Sequence, residues 1–319
     1  MRKSFFFLGL VIILLVLPLI IRDPFYVDIM IMGAFNCIIA LTWRSIMQLG
    51  QFSFGHAAFV GIGGYASALM VMKLGLSFWV SLPVSGVITA ILALMIGLPT
   101  LRLKGMFFSI TTWSFNEITR AIYVIFKKPF GGSTGIYGIP APDPINFLGL
   151  FEIRFATKTE FCYLIFILFL TTYIVLRRIE QSRIGMNFDA IRVDDDLAES
   201  VGINLMEYKC LGFAVACFFA GVAGSFYAHY ISFISPNSFE MALSVNAIVY
   251  AMVGGIGSVL GPIVGASILT VIPIFLHSAG FFKMIFYALF LLLILLFLPE
   301  GLISIPVRVQ KIRQQFRIK

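Results

Sequence analysis

Five residues of the chain have the spacing of a hydrolase active site. The segment Gly131–Gly135 has the sequence GGSTG, which matches the GxSxG motif and would make Ser133 the nucleophile of an acyl transfer. That motif works at a strand-to-helix turn with a histidine partner, whereas the sequence around it is rich in Gly, Pro and Asp, as turns are. The pattern therefore predicts a turn, and a serine hydrolase is the alternative.

The sequence lacks the patterns that bind nucleotides and metal ions. It contains no GxxxxGK[ST] string, so the chain does not bind ATP through a P-loop. Its four cysteines lie in or beside apolar segments, without CxxC spacing and without a paired histidine, which favours buried thiols over metal ligands: Cys37, Cys162, Cys210 and Cys217. We expect no metal site and no cofactor. Energy for any work must come from another subunit or from an ion gradient.

Composition identifies the class of protein. The 319 residues are 60% hydrophobic and 12% charged, with a mean hydropathy of +1.00, whereas soluble domains carry about 25% charged residues. The chain is therefore predicted to be a polytopic integral membrane protein. The net charge is +8, and the Lys and Arg residues that give rise to it cluster beside apolar runs and at the C-terminus. This placement favours membrane topology signals and anionic-lipid contacts over nucleic-acid binding.

Apolar runs near the length of about 20 residues that crosses a bilayer predict the architecture. We expect a single domain over residues 1–319, an all-α bundle of about eight to ten transmembrane helices with broken or re-entrant Gly-rich elements. The runs occupy residues 1–21, 27–43, 48–72, 78–98, 105–126, 160–176, 208–230, 245–272 and 279–298.

Basic residues predict the orientation of these spans. By the positive-inside rule three clusters belong on the cytoplasmic side: Arg102 with Lys104; Arg177, Arg178 and Arg183; and the basic tail 303–319. Counting single crossings from a cytoplasmic N-terminus places the tail outside. The conflict disappears if residues 245–272, which are rich in Gly and contain Pro262, form a broken or re-entrant pair. Irregular backbone at that depth is tolerated where it is buried in protein or lines a wet cavity, so this segment is predicted to belong to a transport pathway.

Few ionisable residues fall inside the predicted spans. Glu117 and Arg120 lie three residues apart on one helix face, where they can neutralise each other, and His56 lies in another span. Ion-coupled carriers usually keep such groups at membrane depth for function. The sequence therefore gives little support to coupling by protons or sodium.

Small residues recur every four positions in two spans and predict close helix packing. One series contains Gly257, Gly261 and Gly265, and the other contains Ala216, Ala220, Gly224 and Ala228. Each series gives its helix a smooth face that another backbone can approach.

Two longer polar segments separate the spans. Residues 127–159 form the longest predicted external loop and offer a surface for an extracytoplasmic partner, whereas residues 177–207 form a cytoplasmic loop. Within the second loop, Asp194 and Asp195 favour a helix N-terminus, Asp196 and Glu199 have capping-box spacing, and Gly202 suits a helix stop. We expect a helix of about two turns.

Leu197 and Val201 fall on one face of that expected helix. A helix this short is marginal in water, so its apolar face must be buried. The cover is either the chain's own bundle or a partner protein.

A polar, Gly-rich stretch carries a resemblance to a known family. The sequence GQFSFGHAAFVGIGGYASA, which begins at Gly50, resembles the GQxSxGHAAFxGIGAYxxA signature of permeases of branched-chain amino acid ABC transporters. LRLKGMFFSITTWSFNEI, the segment from Tyr208 to Phe239 and the GGIGSVLGPIVGA string at 254–266 also resemble the family, in its order, over about residues 36–302. The LRLKG and AHYISFISP forms favour the LivM-type subunit over its LivH-type partner.

The resemblance implies a permease without enzymatic activity. It implies a heterodimer with a second permease, two cytoplasmic ATPases and a periplasmic or other extracytoplasmic substrate-binding protein, in the bacterial inner (plasma) membrane with both termini cytoplasmic. GMNFDAIRVDDDLAESVGI is similar to the family's ATPase-coupling segment, which gives that role to Arg192, Asp194, Asp195, Asp196, Glu199 and Gly202. The chain departs from the family pattern at Leu197–Ala198, at Ser200–Val201 and at Met186–Asn187.

The expected function is import of leucine, isoleucine and valine driven by ATP hydrolysis in a separate subunit. Candidate pathway residues come from the two Gly-rich elements: Gln51, Ser53, His56, Asn246, Gly254 and Gly255. For the four polar members an interhelical hydrogen bond is the competing interpretation. Other solutes, such as another amino acid, urea or a short amide, remain alternatives, as do an ion-coupled carrier and a channel.

Overall fold

The computed structural model describes residue 18 and residues 23–147, 151–275, 282–298 and 300–304. The predicted span 1–21, apart from residue 18, and residues 305–319 of the predicted basic tail lie outside the described residues. Over the described part the chain is almost entirely helical, which confirms the predicted all-α class. Five of its helices are both long enough and apolar enough to cross a membrane: Pro24–Met47, His56–Leu74, Phe78–Thr100, Lys158–Glu180 and Leu205–Ile231.

The helices follow the apolar runs of the sequence. In chain order they are α1 (Pro24–Met47), α2 (His56–Leu74), α3 (Phe78–Thr100), α4 (Met106–Ile125), the short α5 (Lys127–Phe130), α6 (Lys158–Glu180), α7 (Arg183–Val193), α8 (Asp195–Ser200), α9 (Leu205–Ile231), α10 (Met241–Gly254), α11 (Leu260–Phe275) and α12 (Lys283–Phe297). Short 3-10 turns cover Gly132–Thr134, Pro236–Phe239 and Leu302–Ser304.

Local signals set several helix starts. Asp23 caps α1, accepting a hydrogen bond from the amide of Phe25 at 2.9 Å, and Pro24 follows at the position where a missing N–H costs nothing. α2 begins only at His56, eight residues later than the predicted run, because the polar stretch from Gln48 to Gly55 forms a connection.

α2 and α9 form the centre of the bundle. A Cβ atom placed on Gly224 would lie 1.8 Å from the carbonyl oxygen of Val60, and one on Gly63 would lie 2.1 Å from that of Gly221. The two backbones therefore touch, which is possible only without side chains at these positions. Ala216, Ala220 and Ala228, the other members of the small-residue series of α9, are fully buried.

The segment predicted to be broken is a tight helical hairpin. α10 and α11 are separated by residues 255–259 and run antiparallel, because Gly254 packs on Gly261 while Gly265 packs on Tyr250. A Cβ atom on either Gly254 or Gly261 would lie 1.8 Å from a backbone oxygen. Gly257 does not share this role, since nothing lies within 4 Å of the position its Cβ atom would take.

The bundle has two distinct ends. We name one of them the Arg44 end. At this end Arg44 is hydrogen bonded to Glu180 and to Ile256. Lys104 and Lys209 lie at the same end and are hydrogen bonded to acids of α8. Two of the three basic clusters that the sequence predicts on one side of the membrane lie there together, because α3 and α6 both end at it: Arg102 with Lys104, and Arg177 with Arg178 and Arg183.

A small cap covers the opposite end. Strand β1 (Ile136–Tyr137) pairs antiparallel with β4 (Phe233–Ile234), and β2 (Ile145–Phe147) pairs with β3 (Phe151–Ile153) in a hairpin. The cap is attached to α3 through Asp143, whose carboxylate accepts a hydrogen bond from the amide of Phe78 at 2.9 Å. The Trp79 indole donates to the carbonyl oxygen of Asp143 at 3.0 Å.

The attachment of this cap through Asp143 is expected to weaken in acid. Hydrogen bonds from the Ser77 hydroxyl and the Phe78 amide lower the pKa of Asp143 below its ordinary value of about 4. A lowered pKa in the folded state means that the stabilisation is present above the ordinary value and is lost as the pH falls through the lowered one. Pepsin cleavage within residues 127–147 is expected to rise as the pH falls below about 4.

The Asp143→Ala variant serves as the comparison for this measurement. It is expected to be cut at the fast rate over the whole range from about pH 4.5 to pH 2, because its cap lacks the carboxylate at every pH. Dividing the wild-type rate by the variant rate removes the pH dependence of pepsin itself. A ratio that stays constant with pH contradicts the prediction.

Candidate coupling and pathway sites

The acidic segment folds into two short helices joined at Asp194. Asp194 ends α7 and caps α8, with its carboxylate accepting hydrogen bonds from the amides of Asp196 at 2.9 Å and Leu197 at 3.1 Å. The sequence prediction of a capped helix is met, but the cap is Asp194 rather than the Asp196–Glu199 pair. An Asp side chain reaches the amides two and three residues onward, so the first of the three acids is the one placed to cap.

Gly202 ends α8 as the sequence predicts. Its φ angle is +88°, a conformation that other residues rarely adopt. The Gly202 amide donates to the carbonyl of Glu199 at 2.9 Å, and the Ile203 amide donates to that of Ala198 at 3.1 Å. These bonds satisfy carbonyl groups that the end of the helix would leave without partners.

The other two acids attach α8 to the bundle. Asp195 forms an ion pair with Lys209 on α9 at 2.6 Å, with both side chains largely buried, and Asp196 forms an exposed pair with Lys104 at 2.8 Å. The second pair raises the pKa of Lys104 and lowers that of Asp196, in each case first through their hydrogen bond. Both acids are therefore engaged inside the chain.

The apolar face of α8 is uncovered. Leu197 is 63% exposed and Val201 is 72% exposed, while Ala198, on the other side of the helix, is buried. Met186 and Val193 on α7 are also exposed. We name these four residues, Met186, Val193, Leu197 and Val201, the coupling face. The part of the bundle that the structure describes does not bury this face.

Arg192 and Glu199 lie beside the coupling face. Arg192 pairs with Asp189 at 3.4 Å, and its backbone lies against Gly50, whose Cβ position is 3.6 Å from the Arg192 Cα atom. Glu199 lines a cavity of about 300 Å³ together with Arg102, Lys104, Asn204 and Lys209. The contact at Gly50 connects the acidic segment with the start of the polar, Gly-rich stretch.

A buried arginine that the sequence analysis did not single out joins three elements. Arg44, which is 3% exposed, donates from Nε to the carbonyl of Ile256 at 2.7 Å and from its two terminal nitrogens to Glu180 at 2.9 and 3.3 Å. It thereby ties the end of α6, where the acidic segment begins, to the turn of the α10–α11 hairpin. The sequence feature that could have pointed to Arg44 is its position as a single arginine at the end of an otherwise apolar run.

Three of the polar pathway candidates lie in the closed interior. The side-chain amide of Gln51 donates to the carbonyls of Leu101 and Leu103, both at 3.4 Å, and Ser53 Oγ accepts from the Gly55 amide at 3.3 Å. His56 Nε2 shares a hydrogen bond with Thr42 at 2.9 Å. The Gln51 and His56 bonds link neighbouring segments, whereas the Ser53 bond is local. A contact with substrate stays a prediction for all three.

The remaining pathway candidates lie on the hairpin. Asn246 is exposed on α10, whereas Gly254 is buried at its end. Gly255, with a φ angle of +110°, turns the chain out of α10 and packs against Gly301. A hydrogen bond from the Ala57 amide to Ser244 Oγ, at 2.8 Å, joins the start of α2 to α10.

The alternative chemistries have little structural support. Ser133 lies in a 3-10 turn between Gly131 and Gly135 rather than at a strand-to-helix junction. The imidazoles of His56 and His229 are hydrogen bonded to Thr42 and to Ser67 and Pro140. Among the residues that the structure describes, no group of three or more His, Cys, Asp or Glu side chains could hold a metal ion.

Fold and sites together define a polytopic α-helical membrane protein with a capped helix pair at one end, whose apolar side chains are exposed in the part of the chain that the structure describes. The sequence profile of the family described as "Branched-chain amino acid transport system / permease component" matches residues 25–298. The chain belongs to this family of branched-chain amino acid ABC permeases, which are transport proteins and not enzymes.

Two groups of relatives agree with this assignment. The high-affinity branched-chain amino acid transport system permease protein LivM of Salmonella typhimurium is 27% identical over 336 aligned residues, which cover 100% of this chain and 77% of that protein. LivM of Escherichia coli is equally similar. The LivH permease of Salmonella typhimurium is 27% identical over 86% of this chain and 93% of that protein. No solved structure matches the chain.

Proposed function

We propose that this chain is one of two permease subunits of an importer that carries leucine, isoleucine and valine across the bacterial inner membrane. A LivH-type permease is the second subunit, two cytoplasmic ATPases supply the energy, and an extracytoplasmic binding protein delivers the substrate. The Arg44 end faces the cytoplasm, with both chain termini on that side. The observation that carries the proposal is the uncovered coupling face on two capped helices.

Physical reasoning supports docking at this face. A helix of six residues is unstable alone, yet α8 is held in place by its Asp194 cap and by the pairs of Asp195 and Asp196. The chain thus fixes the helix rigidly while leaving Leu197 and Val201 exposed. Apolar side chains on a rigid element are suited to insertion into a cleft of another protein.

The same contacts supply a route for movement into the membrane part. The Asp195–Lys209 pair attaches α8 to α9, and Arg44 attaches the end of α6 to the α10–α11 hairpin. When the ATPases close on ATP, displacement of the coupling face moves α6, α9 and the hairpin together. The pathway then alternates between outward and inward access.

Replacing two residues of the coupling face tests the proposal. The double variant Leu197→Asp/Val201→Asp, coexpressed with its partners, is expected to bring down at least ten-fold less ATPase in mild detergent, because two carboxylates would have to be desolvated in the cleft. Leucine uptake is expected to fall equally. The second permease is expected to copurify as before, since this face is not part of the membrane-embedded surface.

Two choices make this test specific. Leu74→Asp is the control, because Leu74 is 68% exposed at the opposite end of the bundle. Asp195 is avoided, because its removal would leave Lys209 unpaired and would disturb the chain itself. Unchanged recovery of ATPase with the double variant would rule out docking at the coupling face.

A further inference from the structure

Three charged side chains cluster on the outer surface of the bundle, away from both ends. Glu117 and Arg120 lie on α4, with Arg120 Nη2 2.9 Å from Glu117 Oε2. Glu240 directly precedes α10, and its Oε1 atom lies 3.9 Å from Arg120 Nη1. The cluster holds two carboxylates and one guanidinium group.

The cluster lies near the middle of the membrane-spanning part. Phe239, next to Glu240, packs against Gly61 and Gly64 in the middle of the 19-residue helix α2. Ser244, one turn into α10, accepts the hydrogen bond from the Ala57 amide. Glu240, and with it Arg120, is therefore far from either end of the bundle.

Exposure of charges at this depth requires a polar surrounding. The side chains of Arg120, Glu117 and Glu240 are 37%, 41% and 48% exposed. A charged side chain facing hydrocarbon at the middle of the bilayer costs about 3 kcal/mol or more. The positive N-terminus of α10 favours an acid at Glu240, but it does not account for Glu117 or Arg120. This face must meet water or another protein chain.

Helix α4 is less apolar than the five helices that could span a membrane. It has 20 residues, yet it is not among the five helices that are apolar enough to span. Its buried face carries polar residues, among them Asn116, whose amide nitrogen and oxygen have no hydrogen-bond partner among the described residues. Its exposed face is apolar around the cluster, with Ile110, Trp113 and Ile118 uncovered.

From this arrangement we infer that the cluster is a subsite that binds the charged end of a zwitterionic amino acid during its passage through the membrane. Arg120, oriented by Glu117, binds the carboxylate, and Glu240 binds the ammonium group. The longer 3.9 Å pair is the one that opens for the ligand, and Trp113 and Ile118 contact the apolar side chain. This inference rests on the proposed transport function and adds a substrate site to it.

Neutral variants of the complete transporter in proteoliposomes provide the first measurement. Arg120→Gln and Glu240→Gln are each expected to lower the maximal rate of leucine uptake at least ten-fold, because each removes one of two complementary charges. ATP hydrolysis by the complex is expected to remain at the wild-type rate, because the coupling face is unaltered. Lys73→Gln, at the opposite end of α2 from the Arg44 end, is the control for loss of a charge.

A second measurement separates a binding site from a structural contact. Ser114→Cys places a thiol on the exposed face of α4, while Cys37, Cys162, Cys210 and Cys217 are all buried. A charged thiol reagent is expected to label this cysteine, since the surrounding space is aqueous, and millimolar leucine on the cytoplasmic side is expected to slow labelling at least three-fold. Isoamylamine, which lacks the carboxylate, is expected to give no protection.

Three outcomes would overturn the inference and leave the proposed function standing. These are wild-type uptake by both neutral variants, a Ser114→Cys thiol that leucine does not protect, and loss of the second permease from either neutral variant on copurification. The last would show that the cluster is a contact between the two permeases. Failure of the wild-type chain to bind an ATPase would instead contradict the proposed function.

Discussion

Replacing Gly224 with leucine is expected to abolish recovery of folded protein from the membrane. The carbonyl oxygen of Val60 occupies the position that any Cβ atom on Gly224 would need, at 1.8 Å, and the Gly64 amide nitrogen is 3.0 Å away. Both obstacles are backbone atoms of α2, so no side-chain rearrangement makes room. The two central helices must separate, at a cost of about 3 kcal/mol or more, and the contacts around them are lost as well.

Gly33→Leu is the matched control for this substitution. Gly33 lies inside helix α1, where nothing is within 4 Å of its Cβ position. Its replacement is expected to be neutral or slightly stabilising, because leucine favours a helix more than glycine does. The two variants are compared by the monodisperse fraction on size-exclusion chromatography and by the thermal unfolding midpoint in detergent. Equal behaviour would show that α2 and α9 do not pack through Gly224.

Replacing Arg44 with alanine is expected to uncouple ATP hydrolysis from uptake. The change leaves the Glu180 carboxylate and the Ile256 carbonyl without their donors. Removing one partner of a buried ion pair costs about 3 kcal/mol, and the α10–α11 hairpin loses its attachment to the end of α6. We expect at least a ten-fold fall in leucine uptake, while the coupling face still binds the ATPase and hydrolysis continues.

Graded variants at the same site distinguish this role from a loss of stability. Arg44→Lys keeps the charge but not the bidentate geometry, and it is expected to give intermediate uptake. Arg183→Ala, which removes an exposed arginine at the same end, is the control. Thermal unfolding reports stability, and the number of ATP molecules hydrolysed per leucine reports coupling. An Arg44→Ala protein whose uptake per ATP equals that of the wild type would refute the prediction.

Elements that depend on short stretches of sequence were predictable. The membrane spans follow from apolar runs, and the break within residues 245–272 follows from its glycines and from the charge pattern. The capped helix in the acidic segment is another example, because a carboxylate and the amides that it caps lie within three residues of each other. Even there the capping-box spacing favours Asp196 with Glu199, but any of three consecutive acids can cap the helix, and in the structure the cap is Asp194.

Contacts between distant segments were not predictable. Arg44 and Glu180 are 136 residues apart, and Arg44 and Ile256 are 212 residues apart. By their spacing Glu117 and Arg120 form a self-contained pair, and nothing in the sequence connects them with Glu240, which the fold brings to 3.9 Å from Arg120. In the same way, Gln51, Ser53 and His56 are pathway candidates because polar groups are costly at membrane depth, and only the fold shows that all three side chains are buried, with Gln51 Oε1 and His56 Nδ1 lacking a hydrogen-bond partner among the described residues.

The sequence alone determined that this is an all-α membrane protein of the branched-chain amino acid permease family, with an acidic capped helix between two spans. Hydrophobic run length, charge distribution and capping act over a few residues, so a single sequence contains them in full. The tertiary structure decided which charges are buried, which pairs form and which apolar face stays uncovered. These depend on how closely remote helices approach, which here is set by glycine contacts such as Gly224 on Val60 and Gly254 on Gly261.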